Sequence, residues 1–186
     1  MVVTMRKFLR RVSAFTAATL LASASPALAT TWNHTSTIDT DANNRFLTMS
    51  SAGVAAVVSH NSDSVTLFTA STGSWIATVP VGDGPSIASF TADGATLAVL
   101  NESDETVSVI DVGTHSVTIS FEVEAGAQSA NISPDGKSVY SGNYFDRFLN
   151  VYSARTGVLT KQIDMGETDN YWMTFGKKGK IAYVSN

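Results

Sequence analysis

Residues 87–129 read IASFTADGATLAVLNESDETVSVIDVGTHSVTISFEVEAGAQS. This stretch decides the fold because it holds four short strand signals separated by turn chemistry. Residues 87–90 form a brief strand of small residues, and Thr91-Ala92-Asp93-Gly94 ends in an Asp-Gly pair that accepts the positive φ of a tight hairpin. Residues 95–100 are an apolar run and 101–105 (NESDE) a polar loop. A third strand at 106–112, a turn at 113–115 and a fourth strand at 117–124 follow. Along the fourth, Val117, Ile119, Phe121 and Val123 alternate with Thr118, Ser120, Glu122 and Glu124, the pattern of an outer strand with one wet face. Residues 95–100 are apolar on successive positions, as suits a middle strand covered on both faces.

The same design recurs on both sides. Turn glycines fall at Gly53, Gly94, Gly136 and Gly179, with spacings of 41, 42 and 43, and Thr72, Thr114 and Thr156 are 42 apart. Asn61, Asn101, Asn143 and Asn186 keep the same period at the close of the second strand. The repeats therefore run 45–86, 87–129, 130–172 and, in part, 173–186, with strands in the first at 46–50, 54–59, 65–69 and 75–81. Four antiparallel strands in about forty residues is the unit of a β-propeller. The expected fold is all-β, with about three and a half four-stranded blades. Closed propellers have roughly four to eight blades, so the chain is expected to be the front part of a longer propeller. The strand at 181–185 is then an open edge available for self-association.

Ser133-Pro134-Asp135-Gly136 followed by Tyr140-Ser141-Gly142-Asn143, with Tyr183-Val184-Ser185-Asn186 at the terminus, resembles the SPDG and YVTN pattern of the YVTN-family β-propeller repeats, a WD40-like group found in exported and cell-surface proteins. The resemblance spans residues 45–186. Ala98-Val99-Leu100-Asn101 lacks the tyrosine, and Gly176-Lys177-Lys178-Gly179 lacks the proline and aspartate. The resemblance specifies architecture better than activity, because such propellers serve as binding surfaces, enzymes and scaffolds alike.

Residues 1–29 read as a secretory signal peptide. Arg6, Lys7, Arg10 and Arg11 give a basic start, 12–24 an apolar and small-residue segment, and Ala27-Leu28-Ala29 a small-x-small cleavage site. That segment is short of the roughly 20 apolar residues of a membrane span, so no span is expected after cleavage, and the location is periplasmic, extracellular or at the cell surface. Residues 30–44 are a polar leader, or a closing strand at 36–40. Cleavage removes four of the 12 basic residues and none of the 16 acidic ones, leaving a formal net charge of about −8. Between Phe46 and Gly136 there is no Lys or Arg against ten Asp and Glu, a surface that repels phosphate backbones and argues against a nucleic-acid partner. The absence of cysteine excludes thiolate-bound zinc, iron-sulfur clusters and haem attachment through C-x-x-C-H.

The loops between second and third strands emerge on the same rim as the links between blades. That rim gathers the candidate ligand-binding residues Asp83, Asn101, Glu102, Asp104, Asn143, Tyr144, Asp146, Tyr171 and Trp172. Carboxylates and amide oxygens of this kind suit a hard cation, but Asn and Asp at turns more often bond the local backbone, and no loop here has a dense oxygen-ligand pattern, so no metal is expected. Tyr171-Trp172 suits stacking on a sugar or peptide, with packing between blades as the alternative. His34, His60 and His115 are scattered, and there is no G-x-S-x-G elbow. The reading is a binding or interaction module with no catalysis of its own and no cofactor, its partner a protein, glycan or small ligand at the rim. The alternatives are the propeller part of a lactonase-like hydrolase or quinoprotein dehydrogenase, and a structural protein of the cell surface.

Overall fold

The computed structural model describes residues 11–15, 34–40, 43–166, 172–176, 179 and 181–185. Its first elements are β1 (Arg11–Phe15) and β2 (His34–Asp39), an antiparallel pair in register from Arg11 opposite Asp39. Thus β2 covers most of the proposed closing strand and pairs with β1. Of the segment read as a signal, only residues 11–15 are described; the cleavage site lies outside the described residues.

Three four-stranded antiparallel sheets follow in strict chain order. The first holds β3 (Asn44–Met49), β4 (Val54–Ser59), β5 (Ser64–Thr69) and β6 (Trp75–Pro80). The second holds β7 (Pro85–Phe90), β8 (Thr96–Asn101), β9 (Thr106–Asp111) and β10 (Ser116–Glu122). The third holds β11 (Ala127–Ile132), β12 (Ser138–Asn143), β13 (Phe148–Ser153) and β14 (Leu159–Asp164). A two-stranded sheet of β15 (Trp172–Phe175) and β16 (Ala182–Ser185) begins a fourth. These are propeller blades, three complete and one partial. Inner strands start earlier than their side chains suggest: β7 opens on Pro85, β11 on Ala127, and Trp172 belongs to the fourth sheet.

The second blade buries one face on the blade before it and the other on the blade after it. Ala56, Val58, Val65, Leu67 and Val79 of the first blade meet Ala88, Leu97, Val99 and Ile110 of the second. From the opposite face of the second blade, Ala98, Leu100, Val107 and Val109 meet Ala127, Ala130, Ile132 and Val139 of the third. Residues 97–100 of β8 are consequently all 0% exposed, which is why that strand lacks alternation, whereas β10 alternates along its whole length. Polar links cross the seams as well: Ser51 Oγ donates to the Ala92 carbonyl (2.7 Å), the Ala92 amide to the Pro134 carbonyl (3.2 Å), and Ser89 Oγ to the Ala130 carbonyl (3.2 Å).

The first turn of each blade is closed by one backbone bond, from Ser50 to Val54, Thr91 to Thr96, Ser133 to Ser138 and Gly176 to Ile181. The first copy is one residue shorter than the others. The position held by Asn101 and Asn143 at the strand end is therefore Ser59, while Asn61 lies in a 3-10 turn (His60–Ser62), a correction to the asparagine period. In the second and third copies, Thr91 Oγ1 donates to Asp93 Oδ1 (2.6 Å) and Ser133 Oγ to Asp135 Oδ1 (2.7 Å). Those hydroxyls, then the amides of Ala95 and Lys137, hold both carboxyls below their ordinary pKa; the Thr114 amide and hydroxyl do the same for Asp111. A carboxyl with a depressed folded-state pKa contributes stability that is whole above its unfolded value and drains away as pH falls through the folded one. Acidification below about pH 4 is expected to destabilise the chain, and Asp93→Asn with Asp135→Asn to flatten that dependence in urea melts. An unchanged pH profile in the double variant would remove these turns as the cause.

A second turn position is held by Gly73, His115 and Gly157, at φ of 71°, 55° and 70°. Histidine is strained in this left-handed region and glycine is not. After allowing for the freer unfolded chain of glycine, His115→Gly is expected to stabilise by about 0.5–1 kcal/mol. A fall in melting temperature would contradict this.

Candidate functional site

The inner strands β3, β7, β11 and β15 all begin on one rim, and the β8–β9 loop leans over them. A cavity of about 280 Å³ opens there, lined by Arg45, Phe46, Ser86, Ile87, Glu102, Gln128 and Trp172. Arg45 Nη1 donates to Glu102 Oε2 at 2.5 Å, and Gln128 Nε2 donates to Glu102 Oε1 at 3.4 Å. With 45% and 31% of their side chains exposed, Arg45 and Glu102 gain little stability from pairing, so a ligand can displace one partner cheaply. Trp172 is 46% exposed and its ring lies against Phe46, with centroids 6.0 Å apart and planes 29° apart. Ser86 is 8% exposed and its Oγ has no hydrogen-bond partner. Without a base bonded to it, that hydroxyl is not an activated nucleophile.

A larger cavity, about 390 Å³, opens at the other end of the axis. Its polar lining among the described residues is hydroxyls and one amide, from Thr48, Ser50, Ser89, Asn131 and Thr174 among others, with no ionisable side chain among those residues. The smaller cavity therefore carries the richer chemistry: an aromatic face, a cation, a carboxylate and an amide converging from four blades.

The structure places the rim residues in different roles. Asn101 is 0% exposed and donates to Thr106 Oγ1 (3.0 Å) and Ser108 Oγ (2.9 Å); Asn143 is 5% exposed, donates to the Ala125 carbonyl and accepts from the Phe145 amide (2.7 Å). Both hold the frame, which is local backbone and strand bonding of the kind Asn performs at turns. Asp104 Oδ2 accepts from the Asp83 amide at 2.6 Å, and Asp63 Oδ1 from the Gly84 amide at 3.0 Å, pinning the link between blades. A Cβ on Gly84 would stand 2.1 Å from Ser103 Oγ, so the Gly82-Asp83-Gly84-Pro85 link needs its glycine for closeness as well as for its φ of 62°. Asp146 Oδ1 accepts from the Phe148 amide at 3.2 Å, and Tyr144 is 46% exposed with its ring edge-on to Phe145. Among the expected residues that are described, Glu102 and Trp172 line the cavity; Tyr171 lies outside the described residues.

Sequence reasoning missed Arg45, Ser86 and Gln128. Two signals were available: Arg45 is the last basic residue before the cation-free stretch, and Ser86 and Gln128 stand at the repeat positions matching Tyr171-Trp172. His60 Nδ1 lies 3.2 Å from the Pro85 carbonyl, and His115 is on the opposite rim. Among the described residues no cluster of three or more His, Cys, Asp or Glu is placed to hold a metal, and no helix is long and apolar enough to cross a membrane.

A family model described as Lactonase, 7-bladed beta-propeller matches residues 3–130. The chain belongs to this family. Among solved structures, this lactonase-family propeller is similar to Kuenenia stuttgartiensis hydrazine synthase, with a TM-score of 0.68 and 23% sequence identity over 76% of the present chain. It spans 41% of that protein's length, and at such identity the likeness shows the fold alone. No curated protein matches this lactonase-family chain.

Proposed function

We propose that the chain is an exported β-propeller module that holds a small polar ligand with an apolar face, a saccharide above all, at the axial mouth, without catalysing a reaction on it. One observation carries the reading: Trp172 presents a half-exposed ring beside the Arg45–Glu102 pair and Gln128 in a cavity of about 280 Å³. An indole stacks on the apolar face of a ring, and planar charged and amide groups bond its hydroxyls. The basic start, apolar segment and Ala27-Leu28-Ala29 support export to the periplasm or cell surface. Ser133-Pro134-Asp135-Gly136 supports placement with YVTN-type repeats.

Titration calorimetry of the full chain with neutral mono- and disaccharides is expected to give heat that Trp172→Ala abolishes. An intact chain giving no heat with any of them ends this reading. A lactonase-like hydrolase is the second reading, favoured by the family description. Ring opening of a lactone by the full chain at no more than the buffer rate would remove it.

A further inference from the structure

We propose that the loop between β12 and β13 is a rigid aromatic anchor by which the propeller docks a protein segment rich in Lys and Arg around apolar side chains. The surface is separate from the axial mouth, and the proposal does not depend on a saccharide binding there. Phe145 is 80% exposed and Tyr144 46%, with their rings edge-to-face at 5.3 Å. The corresponding loops of the other two blades, 60–63 and 102–105, carry no Phe, Tyr or Trp, so the repeat does not demand one.

The loop is fixed from beneath. The Phe145 amide donates to Asn143 Oδ1 at 2.7 Å, and buried Asn143 is tied in turn to the Ala125 carbonyl. On its far side Asp146 takes the Phe148 amide, and the Arg147 guanidinium sits 5.3 Å over the Phe148 ring while paired with Asp164 at 3.0 Å. An exposed aromatic already held in place loses little freedom on binding, which is how such residues become anchors of an interface.

Charge identifies the partner. The Val123 amide donates to the Glu105 carbonyl and Asn143 donates to the Ala125 carbonyl, so the link carrying Glu124 bridges the loops of the second and third blades. Asp104, Glu105 and Asp146 thus share this rim beyond the Arg45–Glu102 and Arg147–Asp164 pairs, in which its described cations are held. A negative rim around a projecting phenyl ring complements a positive surface with an apolar cleft and repels an acidic one.

The test is fluorescence anisotropy on the full chain with three short, capped, dye-labelled peptides: one of Lys and Leu, one of Glu and Leu, and one of Lys alone. The Lys–Leu peptide is expected to bind, more weakly as salt rises, and Phe145→Ala to lower its affinity about tenfold or more. Because Phe145 is exposed, the variant should melt as the parent does. The proposal is overturned by absence of Lys–Leu binding, by equal binding of the Glu–Leu or Lys-only peptide, or by unchanged affinity in Phe145→Ala.

Discussion

Truncating Leu100 to alanine should lower the unfolding free energy by about 2–5 kcal/mol, and Leu97→Ala by a similar amount. Both side chains are 0% exposed, yet they lie in different cores: Leu97 faces the first blade and Leu100 the third. The range combines the lost transfer free energy with that of the cavity left behind, because neighbours on two rigid sheets relax only partly. The two cores share no side chain, so the double variant should lose the sum of the single losses to within about 0.5 kcal/mol. Urea titration measures all three. A loss below about 1 kcal/mol for either single variant would mean that its seam is not packed to the density of a protein interior.

Adding one methyl group at Gly157 is expected to cost about 2–4 kcal/mol, combining the left-handed backbone penalty with overpacking. Gly157 has φ of 70°, and a Cβ there would stand 2.4 Å from Phe121 Cβ and 2.7 Å from its Cγ. Phe121 cannot retreat without disturbing the seam, since its ring lies 5.5 Å from that of Tyr152, whose hydroxyl donates to Glu124 Oε2 at 2.9 Å. Burial, and then the Glu124 carboxylate, hold the Tyr152 phenol above its usual pKa, so it remains a donor. Gly53, at φ of 81° with nothing within 4 Å of its Cβ position, is the control. Gly53→Ala should cost only the backbone share, about 1 kcal/mol. Equal losses at the two glycines, read from thermal melts, would show that the contact with Phe121 contributes nothing.

The fold was legible because turn chemistry and strand burial are local properties. Asp-Gly turns, an alternating outer strand and an unbroken apolar middle strand each follow from a few neighbouring residues, and their common period gives the blade. Inner strands were harder to bound, since Pro85, Ser86, Gln128 and Ser129 carry little strand signal and are extended only because blades crowd at the axis. Asn61 was misaligned because a turn one residue shorter leaves no mark in composition. The site was less legible still. Arg45, Ser86, Gln128 and Trp172 come from four different blades, and their meeting depends on where the inner strands converge. Asn101 and Asn143 look like ligand donors in sequence, but their side-chain NH2 groups are already engaged, that of Asn101 within its own blade and that of Asn143 on the link from the second blade.

The packing of each blade against its predecessor also bears on the export proposed above. A chain emerging on the far side of a membrane presents each repeat to a surface that arrived only moments before, so a freshly exposed greasy face needs just the next forty or so residues to cover it. Growth of the folded body can then keep step with translocation, limiting the time in which an uncovered sheet is open to aggregation.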